Sequence, residues 1–206
     1  MKNNHLKMKK LFVLMFLFLT CVSVSNGQFT KLGGGFGLTT GYPFLGDASA
    51  FNRSGHFNGF VKGVYEISLP LHISPSFTVY FPHVYKDLYR KVTISTFMFD
   101  INGHYIFNSL DRFEFYGLAG IDIMIARKKE VLDANSPSPK LDNALGLNIG
   151  TGMYIKITEQ IDVFGEVKYV LTGKNKLFFS NYNQFMGNAG LLINLEWLKK
   201  NENRGN

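Results

Sequence analysis

The sequence predicts an all-β fold, an eight-stranded antiparallel up-and-down transmembrane β-barrel. Three observations lead there: a long hairpin whose residues alternate strictly between apolar and polar, a greasy face that recurs in every predicted strand, and connections that alternate short and long. The hairpin is Leu145–Leu171. Before its turn at Thr158-Glu159-Gln160, Leu145, Leu147, Ile149, Met153, Ile155 and Ile157 share one face, with Thr151 the one polar member. Gly146, Asn148, Gly150, Gly152, Tyr154 and Lys156 share the other. After the turn, Ile161, Val163, Val167, Tyr169 and Leu171 are apolar, with Gly165 among them, and alternate with Asp162, Phe164, Glu166, Lys168 and Val170. Side chains on a strand alternate between its faces, so this hairpin has one greasy and one charged side. Symmetry about Glu159 pairs Lys156 with Asp162 and sets Gly152 and Gly150 opposite Glu166 and Lys168. Charges facing glycines suit a narrow barrel interior packed with side chains. A soluble antiparallel sheet with one wet face is the competing reading of the hairpin alone.

The other strands follow in order. The first is Thr30–Thr39, with Leu32, Gly34, Phe36 and Leu38 outward and Lys31, Gly33, Gly35, Gly37 and Thr39 inward. Its GGGFG run lacks the Lys-Ser/Thr of a phosphate loop and the following helix of a dinucleotide fingerprint. The second, Phe57–Leu69, points Asn58, Phe60, Lys62, Val64, Glu66 and Ser68 inward. A tight turn at Pro70 leads to the third, Leu71–His83, the least regular because Pro75 and Pro82 each remove a ladder donor. The fourth, Val92–Phe107, places Asp100, Asn102 and His104 inward. The fifth, Arg112–Ala126, places Glu114, Tyr116, Gly120 and Asp122 there. The hairpin supplies the sixth and seventh. The eighth, Phe185–Trp197, turns Asn188, Gly190, Asn194 and Glu196 inward. Long connections follow the odd strands (Gly41–His56, Val84–Lys91, Arg127–Ala144, Thr172–Gln184), and short turns near Pro70, Ser109 and Glu159 follow the even ones. Eight strands with that alternation are the pattern of a bacterial outer-membrane barrel, short turns inside the periplasm and long loops outside. A soluble lipocalin-like binding barrel would invert the faces.

The ends and the charge fit this reading. Met1–Lys10 carries four lysines and no acid. Leu11–Val24 is almost entirely apolar, and Ser25-Asn26-Gly27 offers small residues before Gln28. That is the layout of a cleaved signal peptide over residues 1–27. Residues 28–197 then form the barrel and 198–206 a short polar tail. The one cysteine, Cys21, falls within the leader, so no disulfide framework is expected. The full chain has 22 basic and 15 acidic residues. Loss of Lys2, Lys7, Lys9 and Lys10 with the leader leaves 18 against 15, which removes the case for nucleic-acid binding.

The stretches Phe113–Ile123, Gly146–Leu171 and Asn188–Trp197 resemble the small eight-stranded outer-membrane barrels of Gram-negative bacteria. These are the families related to the OmpA transmembrane domain, OmpX and OmpW, and above all the outer membrane protein beta-barrel domain group common in Bacteroidetes. The resemblance covers essentially the whole mature chain and implies an architecture rather than a chemistry. It implies residence in the cell outer membrane and contact with outer-membrane lipid, lipopolysaccharide and the barrel assembly machinery, with an envelope protein as a further possible partner. The last strand is similar to the assembly signal of such barrels, through Asn188, Gly190, Ile193, Leu195 and Trp197, although aliphatics stand where aromatics are usual and nine residues follow Trp197.

The chemistry-bearing residues divide into two sets. Lys31, Lys62, Glu66, Asp100, His104, Glu114, Asp122, Lys156, Asp162, Glu166, Lys168 and Glu196 point inward and form a lumen charge network. Its members must pair, because a lone buried charge is costly. A gated ion or proton path and a structural plug are both open to it; the narrow lumen of an eight-stranded barrel favours the plug. His104 is expected across from Glu114 or Tyr116, either as a pH-responsive group or as a satisfied interior histidine. The second set is a basic loop rim: Lys86, Arg90, Lys91, Arg127, Lys128, Lys129, Lys140, Lys174 and Lys176, joined by Arg53. Such a rim attracts lipopolysaccharide phosphates or another anionic surface, or is simply solvated.

Some barrels of this size are lipid A-modifying enzymes, which need a serine, a histidine and an acid at the rim. Here no histidine follows His104, and His83 near Asp87 lacks an evident serine. Nor do His56, His72, His83 and His104 show metal-ligand spacing. The expected function is therefore that of a non-catalytic outer-membrane barrel, structural or interacting through its basic loops, without a cofactor or metal. The other readings are a subunit of a secretion or motility machine, a lipid A-modifying enzyme, and the soluble lipocalin-like barrel.

Overall fold

The computed structural model describes residues 29–40, 56–86, 90–132, 140–172 and 183–195. The predicted signal peptide, the polar tail, Glu196, Trp197, Arg53, Lys174 and Lys176 lie outside the described residues. Nine strand segments run in chain order: β1 (Lys31–Thr40), β2 (His56–Ser68), β3 (Leu71–Tyr80), β4 (His83–Lys86), β5 (Arg90–Leu110), β6 (Phe113–Leu132), β7 (Lys140–Lys156), β8 (Ile161–Thr172) and β9 (Gln184–Asn194). Each pairs antiparallel with its neighbours, β9 returns to β1, and β3 pairs with β5. The sheet thereby closes into a barrel, and among the described residues only the short β4 is paired on one side alone. β3 and β4 are two pieces of a single stave, both hydrogen-bonded to β5 and separated at Phe81-Pro82. Eight staves result.

The prolines explain that stave's irregularity. Pro82 falls in the break itself. Pro75 stays inside β3, paired with Ile101 of β5, whereas the β2–β3 ladder skips from Lys62↔Ser76 to Tyr65↔Ile73. Proline offers no N–H to that ladder, and Ser74 substitutes by donating its hydroxyl to the Gly63 carbonyl at 2.9 Å.

Burial follows the alternation read from the sequence. β3 alternates exposed and buried almost without exception, as does β8. The residues left exposed are the greasy ones: Phe36 is 71% exposed, Leu145 69% and Ile149 61%. The middle of the inward set is sealed, with Asp100, Asp122 and His104 each at 0%. Apolar side chains on the outside and charges within are the arrangement of a wall solvated by hydrocarbon. The inverted faces of a soluble binding barrel are not observed.

Three expectations about strand limits change. The fifth strand runs on through Leu132 and the sixth begins at Lys140, so Arg127, Lys128, Lys129 and Lys140 are strand residues rather than loop residues. The connection expected over Val84–Lys91 is mostly a hairpin, with Lys86 opposite Lys91 and only residues 87–89 between strands. The last strand ends at Asn194, before Trp197. The first two shifts share a cause. Thr93 and Lys129, or Ser95 and Arg127, pair as readily as apolar residues because the ladder is made by backbone groups. Hydrophobic alternation fades there while the hydrogen bonding continues.

Candidate functional site in the barrel lumen

The inward residues are layered along the barrel. At the end carrying the long connections lies an apolar layer of Tyr80, Val92, Ile94, Met98, Met124 and Met186, with Val170 and Ala126. Tyr80 stands among thioethers, its hydroxyl 3.6 Å from Met98 Sδ and 3.4 Å from Met186 Sδ. At the short-turn end, Phe60, Val64, Ile106, Tyr116, Leu118, Tyr154, Phe164 and Leu192 form a second apolar layer. Between the two sit the central ion pairs of the charge network.

Its middle consists of two ion pairs. Lys62 Nζ donates to Glu166 Oε2, and the same carboxylate accepts from Tyr116 OH at 3.2 Å and from Asn188 Nδ2 at 3.1 Å. Lys168 Nζ donates to Asp100 Oδ2 at 3.0 Å, where Ser76 adds a hydroxyl at 2.8 Å and Asn102 Nδ2 reaches Oδ1 at 2.6 Å. The glycines opposite make this packing feasible: Gly152 faces Glu166 and Gly150 faces Lys168, and a Cβ on Gly152 would collide with the Tyr116 ring and one on Gly150 with the Val167 carbonyl and the base of Lys168. Lys62 also lies 4.8 Å above the Phe164 ring, which a cation over an aromatic face favours.

Toward the short turns the network opens to solvent. Lys31 Nζ stands 3.0 Å from Asp162 and 3.6 Å from Glu66, whose side chain is 37% exposed. Lys156 is opposite Asp162 in the ladder, as symmetry required, but it is exposed, and Asp162 turns to Lys31. A register neighbour on the same strand pair is not obliged to be the ionic partner when a third strand brings a cation closer. Glu114 faces inward and half-buried, with Oε2 lacking a hydrogen-bond partner.

His104 sits elsewhere than expected. Its ladder partners are Leu118 on β6 and His72 on β3, not Glu114 or Tyr116. Its ring stacks on Tyr116 with centroids 4.4 Å apart and planes 7° from parallel, and its Nδ1 is 2.7 Å from Tyr154 OH. Tyr116 and Tyr154 stack in turn at 4.5 Å. Sequence reasoning weighed His104 only against its β6 neighbours. The stack comes from β5, β6 and β7 together, and the one signal for it was three aromatic rings at inward positions of consecutive strands.

The basic residues form a strip on the outer wall. Lys91, Arg127 and Lys129 share the parity of Phe97 and Ile125 and are exposed. The paired positions Phe97↔Ile125, Ser95↔Arg127, Thr93↔Lys129 and Lys91↔Val131 carry the wall from apolar to basic. Lys128 is half-buried on the opposite face, paired in the ladder with exposed Lys140. For Lys86 and Arg90 only the strand positions are described, on β4 and β5. In the predicted assembly signal, Asn188 is buried against Glu166, Gly190 lies close to the backbone of Gly34, Ile193 is outward on β9, and Leu195 N–H extends the ladder to Thr30 O at 2.8 Å.

Among the described residues, no three of His, Cys, Asp and Glu converge as a metal cluster. His83 lies on β4, and its suggested partner Asp87 is outside the described residues.

No protein-family model matches the chain, and no curated protein matches it by sequence. Solved structures do. Neisserial surface protein A aligns at 16% identity over 80% of this chain and 96% of its own, with a TM-score of 0.55. A major outer membrane protein of Thermus thermophilus aligns at 10% identity, 79% and 98% coverage and a TM-score of 0.54. Ail, the attachment invasion locus protein of Yersinia pestis, aligns at 15% identity, 80% and 99% coverage and a TM-score of 0.51. At such identities the likeness is one of fold. The chain has the fold of the small eight-stranded outer-membrane β-barrels.

Proposed function

We propose that this chain is a non-catalytic protein of the outer membrane that stoppers its own lumen and meets anionic molecules through the basic ends of its strands. The observation that carries the proposal is the pairing of an apolar band around the outer wall with a lumen filled by ion pairs between two apolar layers. An eight-stranded barrel has an interior just wide enough for side chains to fill. The paired lysines and carboxylates fill it without leaving either lysine bare. The strip of Lys91, Arg127 and Lys129 lies directly beyond the apolar band. That is the height at which a bilayer presents phosphate groups, so lipid A phosphates or another anionic surface are the partners its charge favours.

The test expresses the chain with its leader, isolates outer membranes, and compares gel mobility with and without boiling. A heat-modifiable species in that fraction, starting at Gln28, is the expected result. Reconstituted into planar bilayers, the same species passes no steady current. A periplasmic, unshifted protein overturns the membrane reading; a steadily open channel overturns the stoppered lumen.

A further inference from the structure

The outer wall carries a hollow of about 720 Å³ within its apolar band. Its floor lies over β7, β8 and β9, at Thr151, Gly165, Gly187 and Ala189. Phe36 and Phe57 stand at one end, and Phe115 and Met153 at the other. The register accounts for the shape. Phe115, Met153, Gly165, Ala189 and Phe36 form one row of paired outward positions, and Thr151, Val167, Gly187, Leu38 and Phe57 form the next. Elsewhere on β8 and β9 the outward positions hold large side chains, such as Val163, Tyr169, Phe185 and Leu191.

Packing within the barrel does not require the floor to be this small. A Cβ on Gly165 or Gly187 would meet no atom within 4 Å, whereas the inward Gly150 and Gly152 are kept small by their neighbours. Glycine weakens the interior of a strand, and it is retained where a ligand or another backbone comes close. The hollow also presents no free polar group to an occupant. Thr151 Oγ1 donates to the Tyr116 carbonyl at 2.9 Å. Glu166 and Asn188 border the floor with side chains turned to the lumen, where Asn188 Nδ2 donates to Glu166 Oε1 at 3.1 Å.

On β8 the hollow sits at Gly165 and Val167, midway between the outward Ile161 and Leu171. Polar head groups stay at the faces of a hydrocarbon core ~30 Å thick, so an occupant at this depth is apolar. A second copy of the chain fits poorly. A two-fold contact sets the same patch against itself, and two facing hollows enclose a void, which well-packed interfaces avoid. A single flexible chain of methylenes fills a concave apolar site and asks for no hydrogen bond. On β6 and β7 the hollow begins close to the short-turn ends, at Phe115 and Met153. Short turns face the periplasm, and the leaflet on that side is phospholipid. We propose that the hollow framed by Phe36, Phe57, Phe115 and Met153 binds one acyl chain of a phospholipid, which lies over Gly165 and Gly187 and stays with the barrel instead of exchanging freely with the bilayer.

The hollow takes a lipid only if the wall lies in a bilayer, the reading on which this site rests, so the boil-shift is measured first. A chain with no heat-modifiable form fails that reading and takes the site with it. Wild type and variants, expressed with the leader, are then extracted from outer membranes in a mild detergent and weighed by native mass spectrometry. Wild type should keep one phospholipid per barrel. Gly165→Leu combined with Gly187→Leu fills the hollow and should lose it. Gly103→Leu, at an outward position on β5 outside the hollow, should keep it. A heat-modifiable wild type without a retained phospholipid, or retention unchanged by the filled hollow, overturns the site. Retained lipopolysaccharide in its place overturns the phospholipid assignment, and a wild-type dimer that the filled variant dissociates makes a second copy the occupant. Should the filled variant not fold, wild type photolysed in vesicles of phosphatidylethanolamine with a diazirine at the acyl terminus decides. Label concentrated on Met153, Val167 and Leu38 supports the site, and label spread evenly over the outer wall rejects it.

Discussion

Replacing Lys62 by methionine isolates the central ion pair. Lys62 is 2% exposed, and methionine retains its unbranched stem over Phe164 while removing the ammonium. Glu166 would keep its bonds from Tyr116 at 3.2 Å and Asn188 at 3.1 Å but would lose its cation. Removing one partner of a buried pair typically costs about 3–5 kcal/mol, because the other charge stays behind uncompensated. Glu166→Gln in the same background removes that charge, so the double variant should recover much of the loss, with a coupling energy of roughly 2–3 kcal/mol. The assay is guanidinium unfolding of barrels refolded into phospholipid vesicles, followed by the fraction of heat-modifiable band. If Lys62→Met lies within about 0.5 kcal/mol of wild type, a range ordinary for surface changes, the lumen is wet enough to screen the charge and the stopper argument collapses.

Three further outcomes follow from the same structure. Ile149→Arg, on the outer wall at a position 61% exposed, should destabilise the vesicle-embedded barrel by about 2–4 kcal/mol; no effect in unfolding titrations would mean that this face meets water. Gly152→Ala should cost about 1–3 kcal/mol through overpacking, since a Cβ there collides with the Tyr116 ring and stands 2.8 Å from the Gly165 carbonyl oxygen. Gly187→Ala, with open space at the same atom, should stay within about 0.5 kcal/mol in the same titration; equal losses would refute the glycine argument. Lys91→Gln, Arg127→Gln and Lys129→Gln combined should leave the boil-shift unchanged and weaken co-sedimentation with anionic, but not zwitterionic, vesicles; unchanged co-sedimentation with anionic vesicles would remove the role given to the basic strip.

Every choice that depends on a period of two was legible in the chain alone. Alternation assigned the inward and outward faces, and symmetry about Glu159 set the hairpin register that places Gly152 opposite Glu166 and Gly150 opposite Lys168. Both are local properties, carried by residues close in the chain, where a slip of one position would turn the whole apolar face inward. The strand limits beyond Ala126 and before Ala144 were illegible because backbone pairing continues there without an apolar pattern to mark it. Which inward residues meet was open until the strands were assembled. Lys62 finds Glu166 across 104 positions and Lys168 finds Asp100 across 68. Those distances in sequence are bridged by the closure of the barrel, β9 onto β1 and β3 onto β5. Its stagger sets the relative height of every strand, and so leaves Asp162 to Lys31, stacks His104 on Tyr116, and leaves Asp122 Oδ2 without a hydrogen-bond partner among the described residues. No single strand encodes that stagger, because it is a property of the closed ring as a whole.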